Sequence, residues 1–437
     1  MELLDKIKVG KYSSYKDSGA KWLGKIPSEW DSIRMKHLFR DVSVKNKQNA
    51  ELLSVTQDQG VVPRTWVENR MVMPSGALES FKFINKGDFA ISLRSFEGGL
   101  EYCHHDGIIS PAYTVLKAQR SFDSQFYKYL FKSFSFVSEL QTSVVGIRQG
   151  KNISYPELSY SFLPIPPKEE QTSIAQFLDH KTVLIDQAIG IKEKQIELLN
   201  ERRQILIHKA ITRGLEPNVK MKDSGVEWIG EIPEHWGLVP IRRLVDVRDG
   251  THDTPLYVED GIDTFPLVTS KDFDGDVINF ENIKKISKRD HINISKRSGV
   301  KSGDVLMSMI GGNIGKSVIV DENDNFSVKN VALFKTDGDL SLAKFIRYYF
   351  ESSLLQKQID LKSRGGAQGF LSLGDIRNLA FFKLPTEERT QIVEYLEINI
   401  SHKLLSAISL KEQEIEKLKE YKATLINSAV TGKIKVC

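Results

Sequence analysis

The chain has 437 residues, 40% of them hydrophobic and 27% charged, with a net charge of +4. That length exceeds what one core readily serves, so two or more domains are expected, and the apolar content excludes a disordered polymer. Two cysteines, Cys103 and Cys437, exclude a disulfide framework and have no metal-ligand spacing. No run of about eighteen apolar residues occurs and the opening "MELLDKIKVGKYSS" lacks a long apolar core, so a reducing cytosol is expected, without membrane span or export.

In chain order, the first landmark is "KDSGAKWLGKIPSEW" (16–30), which returns as "KDSGVEWIGEIPEHW" (222–236). The two copies hold Trp22, Trp30, Trp228 and Trp236, four of the five tryptophans, and announce two similar halves. Inside each half come short β-rich runs such as "DFAISL", "AYTVLK", "DVLMSMI" and "SVIVD", broken by Gly, Asn and Asp turns. Gly87, Asp88 and Ser92 are echoed by Gly303, Asp304 and Ser308, and Gly146, Gln149 and Gly150 by Gly365, Gln368 and Gly369. The stretches 123–141 and 341–359 each predict one helix.

Each half closes on a helix start, "PPKEEQTSIAQFL" (166–178) and "LPTEERTQIVEYL" (384–396). Proline suits a first turn, and paired glutamates suit the positive N-terminal end of a helix. Downstream, Ile185, Ile189, Lys192, Ile196, Leu199, Arg203, Leu206 and Ala210 alternate in steps of four and three, as do Leu404, Ile408, Lys411, Ile415, Leu418, Lys422, Leu425 and Ala429. One such stripe marks an ordinary amphipathic helix. Two matched stripes with basic residues at the same two positions predict mutual, antiparallel pairing. The seam, at about 1.5 Å per residue, makes a rod of roughly 39 Å, near the roughly 34–36 Å of one DNA turn.

The expected fold is α+β: two pseudo-twofold-related α/β domains separated by an antiparallel coiled coil of two long helices. The boundaries are 1–165 for the first domain, 166–214 for the first helix, 215–383 for the second domain, and 384–437 for the second helix and tail.

Catalytic motifs are missing. "GGNIGKS" (311–317) is one residue short of a phosphate loop and reads as a structural turn, and His104–His105 lacks a third ligand at useful spacing. No Gly-rich dinucleotide fingerprint, zinc-protease helix motif, nucleophile elbow or Asn/Asp-Pro-Pro-aromatic tetrad occurs. Positive signals point to an anionic partner. The stretch 281–301 carries seven Lys/Arg against two acids, among them Lys284, Lys285, Lys288, Arg289, Lys296 and Arg297. Arg64, Arg70 and Arg94 stand among aromatics and turn residues, and Arg148, Gln149, Lys151 and Asn152 bunch in one loop; Thr251, His252, Arg364 and Gln368 occupy comparable loops of the second half. Arg, Gln and Asn can bond base edges in pairs, whereas Lys mainly meets phosphate, so these are candidate DNA contacts.

The duplicated SGxxWxGxIPxxW phrase, the two helix starts, and the GD and Q-G marks together resemble the specificity subunit of type I restriction-modification systems, over nearly the whole chain and in the family's order. The resemblance implies two target-recognition domains, each reading half of a bipartite, asymmetric double-stranded DNA site, with no active site in this chain. It implies two methyltransferase (modification) subunits docked around the helices, restriction subunits as further partners, and S-adenosylmethionine, ATP and Mg²⁺ on those partners. A coiled-coil scaffold that joins proteins without reading DNA is the alternative.

Overall fold

A computed structural model describes residues 9–67, 78–145, 152–321, 325–362 and 369–436. The chain divides into two compact units, 1–193 with 412–437, and 194–411.

Each unit is built on an antiparallel four-stranded sheet with one shared order. In the first unit, Glu101–Tyr102, Phe89–Ile91, Thr114–Ala118 and Phe39–Asp41 lie side by side; in the second, Ser317–Ile319, Val305–Ser308, Val331–Lys335 and Asp246–Asp249 do so. Separate two-stranded ladders, Asp31–Arg34 with Phe162–Ile165 and Gly237–Pro240 with Ala380–Lys383, join the start of each unit to the run before its long helix.

The stretches read as one helix apiece are each two: Ser124–Leu130 and Phe134–Leu140, and Leu340–Glu351 and Ser353–Lys362. A serine makes the break in both. Ser133 and Ser352 each donate the hydroxyl to a carbonyl three residues back, Leu130 and Tyr349, and accept an N–H ahead, from Phe136 and Leu354. A side chain that satisfies orphan backbone groups competes with helix continuation.

The first long helix is continuous over 46 residues, Lys168–Arg213. Its counterpart runs Thr386–Leu396 and Leu405–Val430, joined through a π-helical stretch, Glu397–Leu404. Within the first unit, Ile185 and Ile189 share a core with Leu418, Leu425, Ile426 and Ala429. There Lys192 pairs with Glu414 at 2.5 Å and Lys422 with Asp186 at 2.6 Å, so numbering rises along one helix as it falls along the other. Within the second unit, Leu199, Leu206 and Ile207 share a core with Ile400, Leu404 and Leu405. Of the remaining stripe positions, Ile408 and Ile415 are buried and Ile196 half-buried.

The duplicated phrase acts as a clasp on the helix ends. It folds as a hairpin, Tyr15–Asp17 with Lys25–Pro27 and Met221–Asp223 with Glu231–Pro233. Its last tryptophan is fully buried in each copy, and the indole N–H donates to the second glutamate of the helix start: Trp30 to Glu170 at 2.8 Å, Trp236 to Glu388 at 3.0 Å. The following residue continues the tie, since Gln171 accepts the N–H of Asp123 and Arg389 donates to Asp339, the two aspartates that cap the helices on the sheet side. The same tryptophan-bearing end of each clasp lies beside a glycine that follows a long helix with positive φ. A side chain on Gly432 (φ 71°) would strike Pro27 at 2.3 Å, and one on Gly214 (φ 69°) would approach Glu388 at 3.0 Å.

The repeated GD mark has a structural role too. Asp88 and Asp304 each accept the N–H three residues back, from Asn85 and Lys301. Each also pairs with a lysine on the neighbouring strand, Lys117 and Lys335. The first phrase, the helix start and the GD turn are therefore one framework, built twice.

Candidate nucleic-acid interface

What differs between the units is the material inserted into that framework. In the first unit a hairpin, Leu53–Thr56 with Gly60–Pro63, leads into a short 3-10 turn, Arg64–Trp66. Arg64 reaches Ser54 at 3.5 Å, and Trp66, the one tryptophan outside the duplicated phrase, is exposed with its ring edge-on to His105. The hairpin turn is tied to the next loop: Gln57 donates to the Arg94 carbonyl at 3.3 Å, while Lys132 donates to the Gln57 carbonyl at 3.0 Å. Arg94 is exposed just before the short helix Ser95–Gly98, which packs on the strand Asn152–Ile153. The structure thus brings Arg94 and the exposed Asn152 into one region.

Lys132 also grips both oxygens of Glu101 at 2.8 and 2.7 Å. Glu101 is fully buried, and desolvation pushes its carboxyl up to about 7 against the opposing charge of Lys132. Neither residue stands out in the sequence.

In the second unit the insert holds a helix, Lys288–Ser298, against the strands Asp246–Asp249 and Ser327–Val328. Ser287 caps it and Gly299 ends it. The basic run is only partly free: Lys285 pairs with Asp260 at 2.5 Å, Lys288 with Asp263 at 3.0 Å and Arg297 with Asp249 at 2.5 Å. Lys284, Arg289 and Lys296 are exposed, the last two lying two turns apart on one helix. Thr251 and His252 form the turn after strand Asp246–Asp249, where His252 also bonds Asp249. Two sequence candidates, His252 and Arg297, therefore converge on one buried carboxylate, Asp249, that the sequence does not mark, and Thr251 lies beside His252 in the same turn. Arg70, Arg148, Gln149, Lys151, Arg364 and Gln368 lie outside the described residues.

The phosphate-loop look-alike forms a 3-10 turn, Gly311–Asn313, followed by strand Ser317–Ile319, not a loop opening a helix. His104 packs on Tyr102, and burial lowers its pKa. Among the described residues no group of three possible metal ligands occurs, and no helix is long and apolar enough to cross a membrane.

Comparison with known proteins bears on this arrangement. No family model matches the chain. It is 23% identical over 430 residues to the type I restriction enzyme MjaVIII specificity subunit of Methanocaldococcus jannaschii, covering 94% of each chain. It is 24% identical over 334 residues to the EcoBI specificity subunit of Escherichia coli, covering 74% of this chain and 69% of the relative. Among solved structures, a chain from a study of complex assembly and conformational transition of the type I R-M system matches with a TM-score of 0.70 at 15% identity, covering 93% of this chain and 98% of that one. The HsdS subunit of Thermoanaerobacter tengcongensis matches at 0.52 with 17% identity and the same coverage. The fold, two sheet units with long helices, is the HsdS fold. Two relatives of one kind, one of them matched over 94% of both chains, make the chain similar to the specificity subunits of type I restriction-modification systems, as the sequence resemblance implies.

Proposed function

We propose that this chain is the DNA-reading subunit of a type I restriction-modification complex. Each unit reads one half of a bipartite, asymmetric site in duplex DNA, through 1–165 in one case and 215–383 in the other, and the long helices of 166–214 and 384–437 set the spacer. The observation that carries this reading is a framework built twice around unlike inserts that bear exposed Arg, Lys, His and Asn side chains. Identical frames offer equivalent seats to two modification subunits, while unlike inserts suit two different half-sites.

The chain contributes recognition, not bond-making. Adenine methylation, translocation and cleavage, with S-adenosylmethionine, ATP and Mg²⁺, fall to modification and restriction subunits, which would flip the target adenine out of the stack. The cytoplasm is the compartment this work requires. Exposed cations such as Lys284, Arg289 and Lys296 would anchor phosphates, and a few donors on each unit would read base edges.

Gel shifts with the chain and its cognate modification subunit test the reading. Binding at low salt that is lost on adding roughly a few hundred millimolar salt supports it; no binding at low salt would leave the scaffold alternative. Methylation or cleavage of DNA by the purified chain alone would overturn its non-catalytic role. Removing one heptad from each long helix should shorten the recognised spacer by roughly 10 Å, about three base pairs, and an unchanged spacer would refute the helices as a ruler.

A further inference from the structure

The carboxylate of Asp249 sits at the end of strand Asp246–Asp249 with its side chain 4% exposed, between two side chains that face outward: Arg297 (56% exposed) and His252 (44%). Arg297 donates to Oδ1 from Nε at 2.8 Å and from Nη2 at 2.5 Å. His252 donates from Nε2 to Oδ2 at 2.9 Å, and its Nδ1 faces the side-chain amide of Asn330 at 3.1 Å.

The backbone beneath is equally fixed. Thr251 donates its N–H to the Val328 carbonyl and accepts from Asn330, both at 3.0 Å. Gly250 allows this closeness, because a Cβ there would lie 2.0 Å from the Val328 oxygen. Arg297 and His252 are thus braced from behind by one buried acid, on a turn that backbone bonds hold in place.

A guanidinium carries five N–H bonds. With Nε and one Nη2 hydrogen committed to Asp249, Nη1 and the second Nη2 hydrogen form an outward pair of parallel donors, and among the described residues Nη1 has no protein partner. Parallel donors match the O6 and N7 acceptors that guanine shows in the major groove, and the other three bases present no such acceptor pair there. An ordinary surface ion pair would not need a nearly fully buried acid shared with a second side chain. The brace removes rotamer freedom before binding, which sharpens discrimination.

We propose that Arg297 reads a guanine in the half-site of the second unit, and that Asp249, supported by His252, is the positioning residue that aims it. This rests on the DNA-reading function proposed above. The test uses the complex with the cognate modification subunit, once its methylated motif is mapped, and duplexes in which each guanine of the site is replaced in turn by 7-deazaguanine, which lacks the N7 acceptor.

At one guanine, in one half-site only, the wild-type complex should lose roughly tenfold or more in binding. The Arg297→Ala complex should be insensitive to that replacement. Arg297→Lys should recover at most a small part of that sensitivity, because an ammonium lacks the planar fork. Asp249→Asn should lose most of the discrimination at the same guanine while the other half-site reads normally, a pattern that general loss of folding cannot produce. Arg297→Ala alters an exposed side chain and tests the reading arm even if the buried substitution fails to fold. Wild-type discrimination at every guanine by the Arg297→Ala complex would overturn the inference and leave the DNA-reading function intact. A wild-type complex with no bipartite site at all would overturn the function itself.

Discussion

The first unit spends its inserted residues on a β-hairpin, with Gln57, Arg94 and Lys132 tied together; the second spends them on a helix that leans on the end of the central sheet and delivers Arg297 to Asp249. Behind these unlike inserts the two share a strand order, a tryptophan-to-glutamate clasp, a GD turn with its lysine, and a helix held to the long helix through Tyr129 with Asp179 or Tyr348 with Glu397. The contrast teaches that repetition in this sequence marks support, and under the proposed function divergence marks recognition. A residue present in both halves is therefore a poor candidate for a base contact, however polar it is.

The largest effects should come from breaking the shared frame. Trp30→Ala and Trp236→Ala each remove a fully buried indole and one of the two side-chain partners of a glutamate, Tyr12 remaining on Glu170 and His235 on Glu388, at a cost of about 3–5 kcal/mol to the unit concerned. Denaturant titration should show this, and each variant should impair only its own half-site. A frame contact that damaged both half-sites equally would break the division into two units.

The next comparison sets one device against itself. Lys335 and Asp304 are 5% and 1% exposed, whereas Lys117 and Asp88 are 22% and 12% exposed and 3.5 Å apart. Removing one partner of a well-buried pair strands a charge, so Lys335→Met should cost about 3–5 kcal/mol, against about 1 kcal/mol for Lys117→Met. Equal losses in thermal or chemical unfolding would show that burial does not separate the two copies.

Glu101 gives the first unit a pH dependence of its own. Its folded pKa, about 7, lies above its ordinary 4.5, so the fold favours the protonated acid. The stability it contributes is full below about 4.5 and is lost as pH rises through about 7, an effect on the order of 2–3 kcal/mol. Glu101→Gln should flatten that slope in the first unit, as read from unfolding at pH 4.5, 6 and 8. The matching strand of the second unit, Ser317–Ile319, holds no acid, but burial also raises the carboxyl of Glu351 in that unit, so Glu101→Gln is compared with the unsubstituted first unit.

The smallest effect concerns phosphate anchors. Arg289→Ala and Lys296→Ala should each weaken DNA binding modestly and reduce the salt slope by about one, without altering the recognised motif. A changed motif would promote either residue from anchor to reader.

The frame was legible in the sequence because its parts are short, repeated and chemically odd: paired tryptophans, proline before two glutamates, glycine before aspartate. Even so, the phrase alone could not show that Trp30 and Glu170 meet, since 140 positions separate them. The breaks at Ser133 and Ser352 were hidden inside continuous apolar stripes, where one serine looks like any polar residue on a helix. The π-helical stretch Glu397–Leu404 left no sign, because its residues keep an ordinary amphipathic spacing. Asp249 was missed for a different reason: reading loops for exposed donors passes over a buried acid that acts through its neighbours. Trp66 could have been found, as it alone among the tryptophans stands outside the duplicated phrase.

Genome-wide mapping of methylated adenine, in cells that express this chain with its cognate modification subunit, tests the central claim most directly. Two unlike half-sites separated by a fixed stretch of unspecified bases, absent when this chain is withheld, is the result that two different inserts in one doubled frame predict. A single uninterrupted motif, two identical half-sites, or a methylation pattern indifferent to this chain would contradict it.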